Sequence, residues 1–148
     1  MTNDSRLRNM HSPFDLHKPI AVGSDHAGFK YKEDLISFIE GIGLAFYDFG
    51  THVQEPSKNK DFISLVVNAV ENKQASFGVL IDSSANEVAI CANKFSGIRA
   101  AVCWGEELSK LSRENNDANI ICIPAFFVRE GDAERMLHIF MTTDFTHS

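Results

Sequence analysis

The chain has 148 residues, with 44% hydrophobic and 23% charged side chains, which describes one globular domain with a full core and excludes disorder. Lys plus Arg number 14 against 20 Asp plus Glu, a formal charge of −6, and no extended basic run occurs. Without a basic stripe to exchange for counterions, nucleic-acid binding is excluded as a main role, and no apolar run reaches the ~18 residues of a membrane span.

Residues 1–18 are polar and aperiodic and read as a loose N-terminal extension without a catalytic role. They contain no apolar stretch of signal-peptide length, so a cytoplasmic protein is expected. Residues 19–148 form the single domain. There "PIAVGSD" is a strand, and "AGFKYKEDLISFIEGIG" spaces Phe29, Leu35, Ile36, Ile39 and Ile42 as a helix. "LAFYDFG" is the second strand, and "DFISLVVNAVEN" is a helix striped by Phe62, Leu65, Val66 and Val70.

The alternation continues with "FGVLID" and a helix over "NEVAICANK", "IRAAVC" and a helix over "EELSKLSREN", then "ANIICIPA" and a helix over "EGDAERMLHIFMTT". Five strands alternating with five helices imply an α/β fold: one doubly wound parallel five-stranded sheet with helices on both faces. Apolar runs such as "GVLI" and "NIICI" suit strands buried on both sides. The expected order is the flavodoxin-like 2-1-3-4-5.

In such a sheet ligands bind beyond the carboxyl ends of the strands where the order reverses, here between the first and third strands. The first strand ends in "GSDHAG" and the third in "DSSANE", so Asp25, His26 and Asp82 are expected to be neighbours. An Asp before a helix is also a common cap. Cys91, Cys103 and Cys122 lie 12 and 19 residues apart in apolar surroundings, without zinc-ligand spacing, and read as small core hydrophobes in a reducing compartment.

The motifs "GSDHAGF", "DFGT", "CANKFSGIRAAVC" and "SRENNDANIICI", in that order over residues 19–145, make the chain resemble the type B ribose-5-phosphate isomerases and the related galactose-6-phosphate isomerase subunits. The resemblance implies a homodimer or a higher assembly of dimers with sites at the interface. It also implies aldose–ketose isomerisation of a sugar phosphate through an enediol, and no cofactor or metal. That chemistry requires a base, an acid to open the ring, an oxyanion hole and cations for the phosphate.

Set against the family, the base cysteine in a C-G-T-G-x-G pattern is replaced by Asp82-Ser83-Ser84-Ala85-Asn86-Glu87, without glycines to form an anion nest. The family acid, a histidine, aligns with Asn115, a second histidine with Trp104, and an active-site tyrosine with Asn59, followed by Lys60 where proline is usual. One phosphate-binding arginine aligns with Phe126, and a further pair would lie beyond Ser148. The expected substrate contacts are Asp25, His26, Ser83, Ser84 and Asn116, with Asp82 in the place of the base.

Three readings follow. In the first, the chain has lost ordinary isomerase activity, because Glu87 aims an unopposed charge at a dianionic phosphate, and it serves as a binding or partner subunit, beside a catalytic homologue in one form of this reading. In the second, it is an active isomerase of a pentose phosphate or another sugar, with Asp82 as base and His26 assisting ring opening. In the third, Asp25, His26, Asp82 and Glu87 hold a cation. Phe126, aromatic where the family has a polar anchor, is the candidate for an interface contact.

Overall fold

The computed structural model describes residues 10–52 and 60–146. Strands β1 (Ile20–Ser24), β2 (Phe46–Asp48), β3 (Gly78–Asp82), β4 (Ala100–Val102) and β5 (Ile120–Pro124) form one parallel sheet. They alternate with helices α1 (Phe29–Gly41), α2 (Asp61–Glu71), α3 (Asn86–Ala92), α4 (Glu106–Asn116) and α5 (Asp132–Thr142). Single 3₁₀ turns at His26–Gly28 and Ala125–Phe127 follow the first and last strands. All five expected strands and helices are present, and among the described residues no helix is long and apolar enough to cross a membrane.

The sheet order is β2-β1-β3-β5-β4, which corrects the expected 2-1-3-4-5. Burial explains the exchange. β5, "IICIP", is buried at all five positions, whereas the three residues of β4, "AAV", are half-buried. The more apolar strand takes the central lane beside β3, and the shorter one serves as the edge. The reversal still lies between β1 and β3, but Pro124 rather than the end of β4 now pairs with Asp82.

One face of the sheet carries Leu35, Ile39, Met136, Leu137 and Phe140 from α1 and α5, and the other Phe62, Val66, Val70 and Val88 from α2 and α3. Each helical residue turns ~100°, and the buried arc of α2 runs through Phe62, Ile63, Val66, Val67 and Val70. Leu65 lies one step outside that arc and is exposed, which corrects its place in the expected stripe.

Residues 10–18 are not loose, contrary to expectation. Phe14 sits 4.7 Å from the Phe77 ring and 5.7 Å from Phe140, centroid to centroid, and Leu16 is buried. Met10, Phe14 and Leu16, scattered among polar residues, close the core on the α5 face. Arg113 of α4, 2% exposed, lies 4.6 Å from the Phe14 ring and donates to Thr143 O, Ala118 O and the Asp117 carboxylate. A buried guanidinium is tolerated because its donors are satisfied. Residues 1–9 lie outside the described region.

Candidate active site

β1 ends at Ser24, and the chain turns at once through His26–Gly28 into α1. Asp25 caps this turn, its carboxylate accepting from Gly28 N at 3.0 Å, while its own N–H donates to Ile81 O of β3 at 3.1 Å. A Cβ on Gly28 would stand 2.6 Å from Ile81 Cγ2 and 2.9 Å from Ile81 O. Glycine in "DHAG" is therefore what lets the first turn lie flat on the third strand and brings Asp25 and His26 to the end of β3. His26 Nδ1 is buried and has no hydrogen-bond partner among the described residues, an uncommon state for a buried polar atom.

β3 delivers Asp82 to the same crevice, 4% exposed. Burial pushes its carboxyl above the usual carboxylate range; Asp25 and Glu87 add to the rise, and the Ala85 N–H and the Lys60 ammonium oppose it. Ala85 N donates to Asp82 Oδ1, and Asn86 N to Ser84 Oγ at 3.3 Å. Two backbone N–H groups of the loop are thus engaged by the loop's own side chains.

Ala85 itself has φ +65° and ψ +4° and is wholly buried. It holds the left-handed conformation that glycine adopts freely, at the position where the resemblance places a glycine. The backbone shape of the loop therefore survives the loss of the residue that makes it easy. Ser83 O accepts from Phe126 N at 3.0 Å, tying the loop to the turn after β5.

Lys60, immediately before α2, enters the crevice from the side. Its Nζ lies 3.1 Å from Glu87 Oε1, and the Glu87 hydrogen bond raises the ammonium pKa, with smaller contributions from Asp25 and Asp82. The Glu87 charge is therefore opposed, which removes one of the grounds for lost activity. The position was visible in sequence as a lysine where proline is usual, but its pairing across 27 residues was not.

The structure gathers Asp25, His26, Asp82, Ser83 and Ser84, as expected. Asn116 is not with them. It closes α4, which starts beyond the carboxyl end of β4 and runs ~16 Å back to the start of β5, so it stands at the opposite edge of the sheet. Asn115 is exposed beside it, and Asn59 lies outside the described residues.

Among the described residues no group of three or more His, Cys, Asp and Glu side chains is placed to hold a metal ion, which corrects the cation-site reading. Asp25 is committed to its cap and Glu87 to Lys60. No buried thiol replaces the family base, since burial raises Cys103 to about 11 and pushes Cys122 well above the usual thiol range.

Where the family resemblance sets one phosphate-binding arginine and a second histidine, this chain has the aromatic side chains of Phe126 and Trp104, and Phe127 lies beside the first. Phe126 is 73% and Phe127 70% exposed, and Trp104, after β4, 60%. Arg129, further along, pairs with Asp132 at 3.6 Å.

A family model described as Ribose/Galactose Isomerase matches residues 20–148. Ribose-5-phosphate isomerase B of Escherichia coli is 36% identical over 104 residues, covering 70% of this chain and 70% of that protein. The corresponding Mycolicibacterium paratuberculosis enzyme is 32% identical over 127 residues, 84% of this chain and 79% of that one. Among solved structures, a ribose 5-phosphate isomerase from Thermotoga maritima superposes with a TM-score of 0.85 at 32% identity, covering 89% of this chain and 91% of its own.

Proposed function

We propose, for a chain that belongs to the ribose/galactose isomerase family, that it isomerises an aldose to a ketose at the crevice between β1 and β3, with Asp82 as the base. The observation that carries this reading is the Asp82 carboxylate itself. It is nearly buried at the end of β3, raised by burial above the ordinary carboxylate range and flanked by Asp25 and Lys60. A raised carboxylate is a stronger base toward a carbon acid than an exposed one, while Lys60 and the Ala85 N–H keep it ionisable.

In this mechanism Asp82 removes the C2 proton of the open-chain aldose, the electron pair forms the C1–C2 double bond, and the carbonyl oxygen at C1 takes up a proton. The O2–H proton then leaves, the C2 carbonyl forms, and Asp82 returns its proton to C1. His26, whose buried Nδ1 has no partner among the described residues, assists ring opening, and Ser83 and Ser84 contact substrate hydroxyls. Asn116 can reach such a site only from a second copy of the chain, which fits the dimer or assembly of dimers implied by the resemblance.

A non-catalytic partner subunit is the second reading. It is favoured by the Ala85 N–H, which already serves the Asp82 carboxylate and is to that extent withdrawn from an oxyanion. Purified protein incubated with ribose 5-phosphate, and separately with unphosphorylated aldoses, decides between them. Ketose formation lost in Asp82→Asn supports the isomerase, and absence of product from every sugar supports the partner subunit.

A further inference from the structure

Beside Asp82, across its strand partner Pro124, lies a cleft of about 390 Å³ lined by Ser84, Asn86, Val102, Trp104, Pro124 and Phe127. This is a mixed surface: two wide aromatic side chains and a proline, with one hydroxyl and one amide. Ligand sites of this kind use apolar area for affinity and a few polar groups for orientation. The strand exchange that places β5 beside β3 is what joins the cleft to Asp82, because Pro124 pairs with Asp82 and Phe126 N is bonded to Ser83 O.

We propose that this cleft takes the C–H face of an unphosphorylated sugar, with Trp104 and Phe127 as its platform and Ser84 and Asn86 as hydroxyl contacts. The assignment rests on Asp82 being the centre at which that sugar reacts. Charge supports the neutral ligand. Asp25 and Asp82 stand at the inner end of the crevice, the Lys60 ammonium is already paired with Glu87 at its mouth, and none of the residues lining the cleft is a lysine or an arginine. A phosphate dianion brought into this setting meets like charge, which costs more than a rim contact returns. Arg129 is 93% exposed and is not among the residues lining the cleft, and Phe126 stands where the family resemblance expects an arginine. A sugar hydroxyl carries no such penalty, and its ring presents C–H bonds that match an aromatic face.

Trp104 is the single tryptophan in the chain, so its emission reports this cleft alone. Asp82→Asn protein, which holds substrate without turning it over, is titrated with neutral aldopentoses and aldohexoses and with their phosphate esters. The expected result is a saturable emission change with at least one neutral sugar and binding of its ester weaker by roughly 10-fold or more. Phe127→Ala weakens the neutral sugar by about 10-fold, whereas Phe126→Ala, outside the cleft, leaves it unchanged.

Tighter binding of the ester, or equal loss in both phenylalanine variants, overturns the proposal. So does a Trp104 signal that follows protein concentration and ignores every sugar, since a second copy would then cover the cleft. Binding of a neutral sugar to Asp82→Asn, with no turnover by the unmodified protein, would remove the catalytic reading and leave the cleft assignment standing. Turnover without any Trp104 response would do the reverse.

Discussion

Lys60 Nζ lies 3.1 Å from Glu87 Oε1, across the mouth of the crevice that ends in Asp82. Both side chains are substantially exposed, so the pair contributes little to stability. Its consequence is electrostatic and local: it opposes the Glu87 carboxylate, and both partners influence how readily Asp82 ionises.

Lys60→Met should therefore raise the Asp82 pKa, because it removes a cation that lowers it and frees the Glu87 charge that raises it. As a base Asp82 acts in its ionised form, so the acid limb of the kcat/KM profile should move to higher pH. Glu87→Gln should move it to lower pH. Profiles shifting in the same direction in both variants would show that Asp82 is not the titrating group.

The raised Asp82 pKa also has a stability consequence. Below 3.8, the ordinary value for a free aspartate, the carboxyl is protonated in both states and adds nothing. As pH rises past that value the unfolded chain ionises first, so native stability falls until the folded pKa is reached and stays lower above it. Asp82→Asn, which keeps an acceptor for the Ala85 N–H, should then raise the Tm at pH 7, and the difference should vanish at pH 3. Thermal melts at the two pH values check this, and a lower Tm at pH 7 would mean that the carboxylate stabilises the fold.

Ala85→Gly should change stability by less than about 0.5 kcal/mol. Relief of the left-handed backbone returns ~1 kcal/mol or a little more, while the lost methyl costs ~0.8 kcal/mol and the freer unfolded chain ~0.5 kcal/mol. Ala85→Val, branched at a buried position with φ +65°, should cost about 2 kcal/mol or more in urea unfolding. Activity should survive the first change, since the loop already has the glycine-like shape.

Arg113→Ala should destabilise by about 3 kcal/mol, because three acceptors lose a buried donor and a cavity opens under Phe14. Phe14→Ala should cost ~2 kcal/mol, with a coupling of ~1 kcal/mol to Arg113 in the double variant. Additive losses would mean that residues 10–18 and α4 are held independently.

The alternation of short apolar runs with period-3.6 apolar patterns made the five strands and five helices legible, and the reversal of strand order placed Asp25, His26 and Asp82 at one crevice. The lanes of β4 and β5 were not legible from chain order, since consecutive strands are usually neighbours. Their relative burial, "IICIP" against "AAV", was the available signal. Phe14 and Leu16 were hidden by the polar residues around them, and the pairing of Lys60 with Glu87 by its separation in sequence. Ala85 shows a further limit. A missing glycine implies a lost conformation only if no other residue accepts the cost of keeping it.

The central claim is that Asp82 moves a proton at a sugar carbon. The direct measurement is solvent exchange: neutral and phosphorylated aldoses are incubated with the protein in deuterated water, and the C2 proton of the recovered aldose and the C1 protons of any ketose are followed by NMR. Deuterium at these carbons with the unmodified protein, and none with Asp82→Asn, is the predicted result. Deuterium incorporation that persists in Asp82→Asn, or none from any sugar with either protein, would contradict it.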